Sequence, residues 1–208
     1  MSARLDHLVV AAATLAQGRS WAEEELGVPL EGGGRHDAFG THNALLRLGA
    51  QSYLEVIAVD PDAAAPPRPR WFELDTPALA RRLADRPVLV HWVVAVSRAA
   101  MDDADHSHGV PMDLSRGGNR WTLTVPDDGS LPMGGVLPSL IAWKTTPPAG
   151  SLPDRGVELR QLALATPDAG RLRAGLEALD LVETPIVVDA RHPSLKAILQ
   201  APVGLVSI

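Results

Sequence analysis

No cysteine occurs anywhere in the 208 residues. That removes disulfides, thiolate metal sites and a cysteine nucleophile together. No apolar run approaches the ~20 residues a membrane helix needs. The opening MSARLDHLVV lacks a charged segment followed by a long apolar stretch, so no signal peptide is expected. Lysine is scarce, no Lys/Arg block exists, and the net charge is −6. With no alternation of aromatic and basic residues, neither nucleic acid nor a membrane is an expected partner. A G-x-S-x-G nucleophile elbow is missing as well. These absences lead to the expectation of a cytoplasmic protein. At 46% hydrophobic and 21% charged, the chain has enough apolar material for a sizeable core.

What is present is a repeat. LDHLVVAA (5–12) and LVHWVVAV (89–96) share five of eight positions, with histidine third in each. LRQLALAT (159–166) is a third copy with Gln161 in the histidine's place. A helical pattern follows each copy: 14–28, ending at Gly27; the shorter 97–107, with Ser97 as a cap; and 166–181, opened by Thr-Pro-Asp. Three strand-like pieces then follow each helix, separated by turn residues. Strand–helix–strand–strand–strand therefore occurs three times. Proline-rich segments at 60–70 and 145–156 cannot continue a strand and separate the units. The expected organisation is a module at 1–60, a linker with a short helix at 61–87, a second module at 88–146 and a third at 157–208.

Strand parity locates chemistry. In LDHLVVA, His7 shares a face with Leu5, Val9 and Ala11, while Asp6 falls on the opposite face. In SYLEVIAVD, Tyr53, Glu55 and Ile57 share a face, and Leu54, Val56 and Ala58 form an aliphatic face suited to the helix. His7 and Glu55 then both point to the concave side. A carboxylate in such an apolar strand needs a cation, a hydrogen-bond donor or water. His91 holds the equivalent place in the second unit. Aligning YLEV with LIAW sets Ala142 opposite Glu55.

These features resemble the vicinal oxygen chelate superfamily of glyoxalases, extradiol dioxygenases and antibiotic-resistance proteins. More narrowly, GGRHDAFGTHNALLRLG…YLEVIAVDP, HWVVAV and GGVLPSLIAWKT resemble its bacterial glyoxalase-like domain family. The resemblance implies an α+β fold of repeated βαβββ modules. They form a partly closed mixed-sheet barrel, with the third module appended. It also implies a divalent metal (Fe, Mn, Ni or Zn) held between modules by His7, Glu55 and His91, with Glu55 as ligand, base or both. Two histidines and one carboxylate are a known facial set for such metals. Ala142 then stands where a fourth ligand would be.

Other residues bear two readings. His36, Thr41 and Asn43, in GGGRHDAFGTHN, line a pocket or merely shape a hairpin. Arg116, Arg120 and Trp121 pair with and stack on an anionic substrate, or Trp121 is core. Trp92 and Trp143 are expected to be core on the helix side. The HSH at 106–108 reads as a solvated loop, and Glu23–Glu25 as a solvated helix face. Two functions follow. One is a metal-dependent lyase, isomerase or dioxygenase-type enzyme on a small oxygen-bearing substrate. The other is a metal-free protein that sequesters a small ligand. A homodimer through the third unit is a further expectation.

Overall fold

The computed structural model describes residues 3–208; Met1 and Ser2, the start of the N-terminal stretch discussed above, lie outside them. The first unit runs β1 (Arg4–Ala11), α1 (Leu15–Leu26), β2 (Glu31–His36), β3 (Thr41–Leu48) and β4 (Ser52–Val59). Thr14 caps α1 by accepting from the Gln17 amide, and Gly27 ends it in the left-handed conformation. After the segment leading to α2 (Pro77–Asp85), the second unit runs β5 (Val88–Ala95), α3 (Arg98–Asp103), β6 (Val110–Arg116), β7 (Asn119–Val125) and β8 (Ser139–Trp143). The third runs β9 (Glu158–Thr166), α4 (Ala169–Ala178), β10 (Ile186–Asp189), β11 (Ser194–Ala201) and β12 (Gly204–Ser207). No helix among the described residues is long and apolar enough to cross a membrane.

Units one and two form one eight-stranded sheet in the order β2-β3-β4-β1-β5-β8-β7-β6. In each, the first strand lies parallel to the last: β1 beside β4, and β5 beside β8. The two units join edge to edge through the antiparallel β1–β5 pair. The sheet curls into a half-barrel with a concave and a convex face.

Side-chain alternation divides the core between those faces. Leu8, Val10, Leu54, Val56, Trp92, Val94 and Leu140 belong to the convex core, and α1 brings Ala22 and Leu26 onto it. The third unit shares that core through Leu162, Leu164, Leu172, Leu176, Ala197 and Leu199. The close approach of α1 depends on Gly18, where a Cβ would lie 2.6 Å from both Ala12 Cβ and Val56 Cγ1. Val9, Ala11, Ile57, Val93, Ala95, Trp121, Leu123 and Ile141 belong to the concave core. There they meet Phe39, Trp71 and Phe72, and Leu79 and Leu83 of α2. The segment between the units is thus a strap that covers the concave face.

The third unit has the same element order but a different sheet. Its strands run β10-β9-β11-β12, so the first strand pairs directly with the second, in parallel, and with the third. A βαβ crossover of this kind needs only the α4 connection. The likeness to the first two units is one of element sequence, not of pairing.

Candidate functional site

A β-bulge sets up the site. The β1–β5 register runs Leu5↔Val94 and then His7↔Val93, leaving Asp6 as the extra residue. A bulge re-aims side chains locally. Asp6 consequently reaches the same cleft as His7, a correction to the simple alternation that put it on the other face. Its Oδ1 lies 2.7 Å from His7 Nδ1, and its Oδ2 accepts from the Trp143 indole N–H at 2.8 Å. Asp6 therefore holds the imidazole and leaves Nε2 facing Glu55, whose Oε2 is 3.6 Å away. Asp6, His7 and Glu55 are all buried. Tyr53, opposite His7 in the register, stacks on its ring at 4.6 Å and 17°. Burial, and then the charges of Asp6 and Glu55, push the Tyr53 hydroxyl well above its ordinary pKa.

Glu55 is held from the other side by Asn43. The Asn43 amide donates to Glu55 Oε1 at 2.5 Å, while Asn43 Oδ1 accepts from the Gly34 backbone N–H at 2.9 Å. A second bulge, at Gly33 in β2, makes that possible. A Cβ on Gly33 would lie 1.9 Å from Asn43 Oδ1 and 2.7 Å from its carbonyl oxygen, so any other residue there forces Asn43 to shift.

His36 closes the cleft. Arg116 donates to its Nε2 at 3.1 Å, which leaves Nδ1–H to donate to Thr41 Oγ1 at 3.1 Å. Burial first, then the Arg116 charge, holds the His36 pKa well below its ordinary value, so the ring is neutral. Trp121 meets His36 edge to face at 6.3 Å and packs on Trp143 at 5.4 Å. Together with Trp71, Phe72, Leu123 and Ile141, these side chains enclose a slot of about 20 Å³, room for about one water molecule.

His91 stands apart. Its Nδ1–H donates to the Gly135 carbonyl at 3.0 Å, and its Nε2 accepts from the Ser139 backbone N–H at 3.1 Å, with Ser139 Oγ 3.0 Å away. Phe72 covers the ring at 5.4 Å. Burial depresses the His91 pKa to about 3, so it is a neutral core side chain. Both nitrogens are engaged, and the ring has no lone pair free for a metal. Ala142 is not the counterpart of Glu55 either. Val9 pairs with Glu55 as Val93 pairs with Ser139, so the counterpart is Ser139, and Ala142 belongs to the convex core. Among the described residues no three His, Cys, Asp or Glu side chains group as a metal site. The Arg116 guanidinium at the slot is a further obstacle to a cation. The donor set therefore does not fit the three-ligand metal centre that the resemblance implies.

The remaining candidates divide clearly. His36, Asn43, Arg116 and Trp121 converge on the His7–Glu55 cleft. Arg120 does not: it is exposed, one residue out of phase with the buried Trp121 on β7. Trp143 lines the cleft instead of the convex core, because Ile141 and Trp143 share the concave face. His108 of the HSH stretch is buried, with Nδ1 2.7 Å from the Pro138 carbonyl oxygen. Sequence reasoning missed Asp6, Trp71, Phe72 and Trp143. Trp71-Phe72, a buried-type aromatic pair inside a proline-rich segment, was the available signal for the strap.

Comparison with known proteins gives one family and a set of folds. A family model described as a glyoxalase-like domain matches residues 5–179. No curated protein matches the chain. The crystal structure of a hypothetical protein from Staphylococcus aureus superposes with a TM-score of 0.60 at 14% identity, covering 93% of this chain and 88% of that one. A Streptomyces coelicolor methylmalonyl-CoA epimerase (S115T) in complex with 2-nitronate-propionyl-CoA gives 0.44 at 18% identity, covering 71% and 99%. The Mycobacterium tuberculosis methylmalonyl-CoA epimerase gives 0.42 at 22% identity, covering 71% and 91%.

Proposed function

The chain belongs to the glyoxalase-like domain family of the vicinal oxygen chelate superfamily, and from that premise we propose that it is an isomerase-type enzyme. Its reaction is proton transfer at a carbon beside a carbonyl in a small oxygen-bearing substrate. The observation that carries this reading is the 3.6 Å gap between His7 Nε2 and Glu55 Oε2 in a buried cleft. That gap is too long for a direct hydrogen bond. An atom beside it can lie within hydrogen-bond reach of both groups.

In this reading Glu55 is the base. Asn43 orients one carboxylate oxygen, and the other accepts the C–H proton. His7, protonated on both ring nitrogens between the Asp6 and Glu55 carboxylates, donates Nε2–H to the carbonyl oxygen as the enol forms; the enol O–H then returns its proton to His7 and the carbon takes one back from Glu55. Such positioned acid–base pairs contribute about 10²–10⁴-fold. Trp121, Trp143, His36 and Phe72 exclude water, which strengthens these interactions. No step is routed through a metal, since the donors do not assemble one.

The enclosed aromatic slot also favours a second reading, retention of a small ligand without turnover. Deuterium exchange separates the two. The protein in D2O is expected to exchange the C3 hydrogens of 2-oxobutyrate, followed by proton NMR, and Glu55→Gln to abolish that exchange. Binding without exchange supports retention.

A further inference from the structure

Of two donor side chains lining the slot, one has no acceptor among the described residues and the other has only an uncharged one. The Trp71 indole N–H is buried and has no hydrogen-bond partner among the described residues. Orphaned buried donors are rare and costly, about 1–3 kcal/mol. Phe39 and Phe72 stack on the indole at centroid distances of 4.0 and 5.2 Å, so it offers its edge to its surroundings. The second donor is Arg116. Among the described residues no carboxylate lies within ion-pair distance of it, and its side-chain hydrogen bond goes to neutral His36.

Both side chains border His36. Arg116 bonds to His36 Nε2, and Trp71 meets the His36 ring at 5.0 Å and 78°. Arg116 also lines an open outer groove of about 590 Å³, walled by Leu45, Pro148 and Leu152. Its stem rests on Gly34, where a Cβ would lie 2.9 Å from Arg116 Cδ. The guanidinium thus sits at the passage between groove and slot, held by an uncharged acceptor that a ligand can replace. Phe72 and Glu73, in the same strap as Trp71, both have φ of 59°. That left-handed pair costs about 1–2 kcal/mol per residue.

We propose that Arg116 and the Trp71 indole N–H form a receptor for the carboxylate of an anionic substrate entering from the groove. A carboxylate supplies two oxygens. One displaces His36 as the acceptor for Arg116, and the other takes the Trp71 N–H. The substrate class is then a carboxylate bearing a neighbouring carbonyl, with the carboxylate at Arg116 and the reacting carbon toward Glu55; the slot holds only about one water, so it widens as Arg116 leaves His36 for the ligand. This rests on the proton-transfer reading for the reacting end, while recognition of the carboxylate stands on the two donors.

The test is calorimetric binding of 2-oxobutyrate and of its amide, 2-oxobutyramide, to the full chain. Wild type is expected to prefer the carboxylate by about 10-fold or more, as a charge-assisted pair implies. Arg116→Gln, at a half-buried side chain, is expected to erase that preference. Trp71→Phe is expected to weaken the carboxylate about 3- to 10-fold while leaving amide binding unchanged. The indole N–H resonance missing from Trp71→Phe should move downfield in wild type with the carboxylate and stay still with the amide. Equal binding of the two ligands, binding of neither, or a preference that survives Arg116→Gln overturns the receptor. Glu55→Gln should keep the preference. Wild type that shows the preference but exchanges no C3 hydrogen therefore counts against the proton-transfer reading alone.

Discussion

Ser139 stands to His91 as Glu55 stands to His7. Each pair is 48 residues apart in the chain, and each joins the first and last strands of its unit at equivalent register. Only the first pair retains a carboxylate. In the second, Ser139 closes on the imidazole through its backbone N–H and hydroxyl, and the histidine becomes a core residue. In the proposed reading, one duplicated position serves chemistry in one unit and stability in the other.

His91 should therefore govern acid stability. Its folded-state pKa, about 3, lies below the ordinary 6.5, so the unfolded chain binds the proton more readily. Its contribution is complete above about pH 6.5 and is lost as pH falls toward 3, at about 1.4 kcal/mol per pH unit. Neutral, buried His36 adds to the same trend. Urea unfolding across that range should show a shallower slope for His91→Leu, by about one proton. The variant should also be about 2–4 kcal/mol less stable at pH 8, because Gly135 and Ser139 lose their partner.

In the proposed reading Asp6 is a positioning residue, through its contacts with His7 and Trp143. Asp6→Asn removes the charge that holds His7 Nδ1, and it weakens the tie to Trp143. Exchange of 2-oxobutyrate should fall about 10- to 100-fold. The rate–pH profile should shift with it, which a purely structural role would not produce.

Gly33→Ala drives a methyl group into Asn43, backbone included. A loss of about 1–3 kcal/mol is expected from the overpacking, measured by thermal unfolding. Gly32→Ala is its control: a Cβ there meets nothing within 4 Å, and stability should hold within about 0.5 kcal/mol.

Titration with Fe(II), Mn(II), Ni(II) and Zn(II) is expected to show no stoichiometric binding that His7→Ala removes. Stoichiometric, His7-dependent binding would restore the metal reading and require His91 to leave Gly135 and Ser139.

Several of these positions were legible in the sequence, and the exceptions have physical causes. Period-two alternation set His7 and Glu55 on one face because both strands are regular at those residues. It misplaced Asp6 because a bulge adds a residue that no periodicity marks. It misplaced Trp143, and chose Ala142 over Ser139, because the alignment of YLEV with LIAW is three residues out of register. The 48-residue spacing of His7 and Glu55 leads directly to Ser139. The strap was invisible because its burial comes from tertiary packing of Trp71, Phe72, Leu79 and Leu83. In the third unit, element order alone does not determine which strands pair.

The most direct measurement compares 2-oxobutyrate exchange in chelator-treated wild type, Glu55→Gln and His91→Leu, at pH 8 where the last remains folded. If the first unit carries the chemistry, Glu55→Gln abolishes exchange and His91→Leu keeps it within about threefold of wild type, the latitude allowed to a residue outside the cleft. Exchange that survives Glu55→Gln, or falls equally in both variants, contradicts that account.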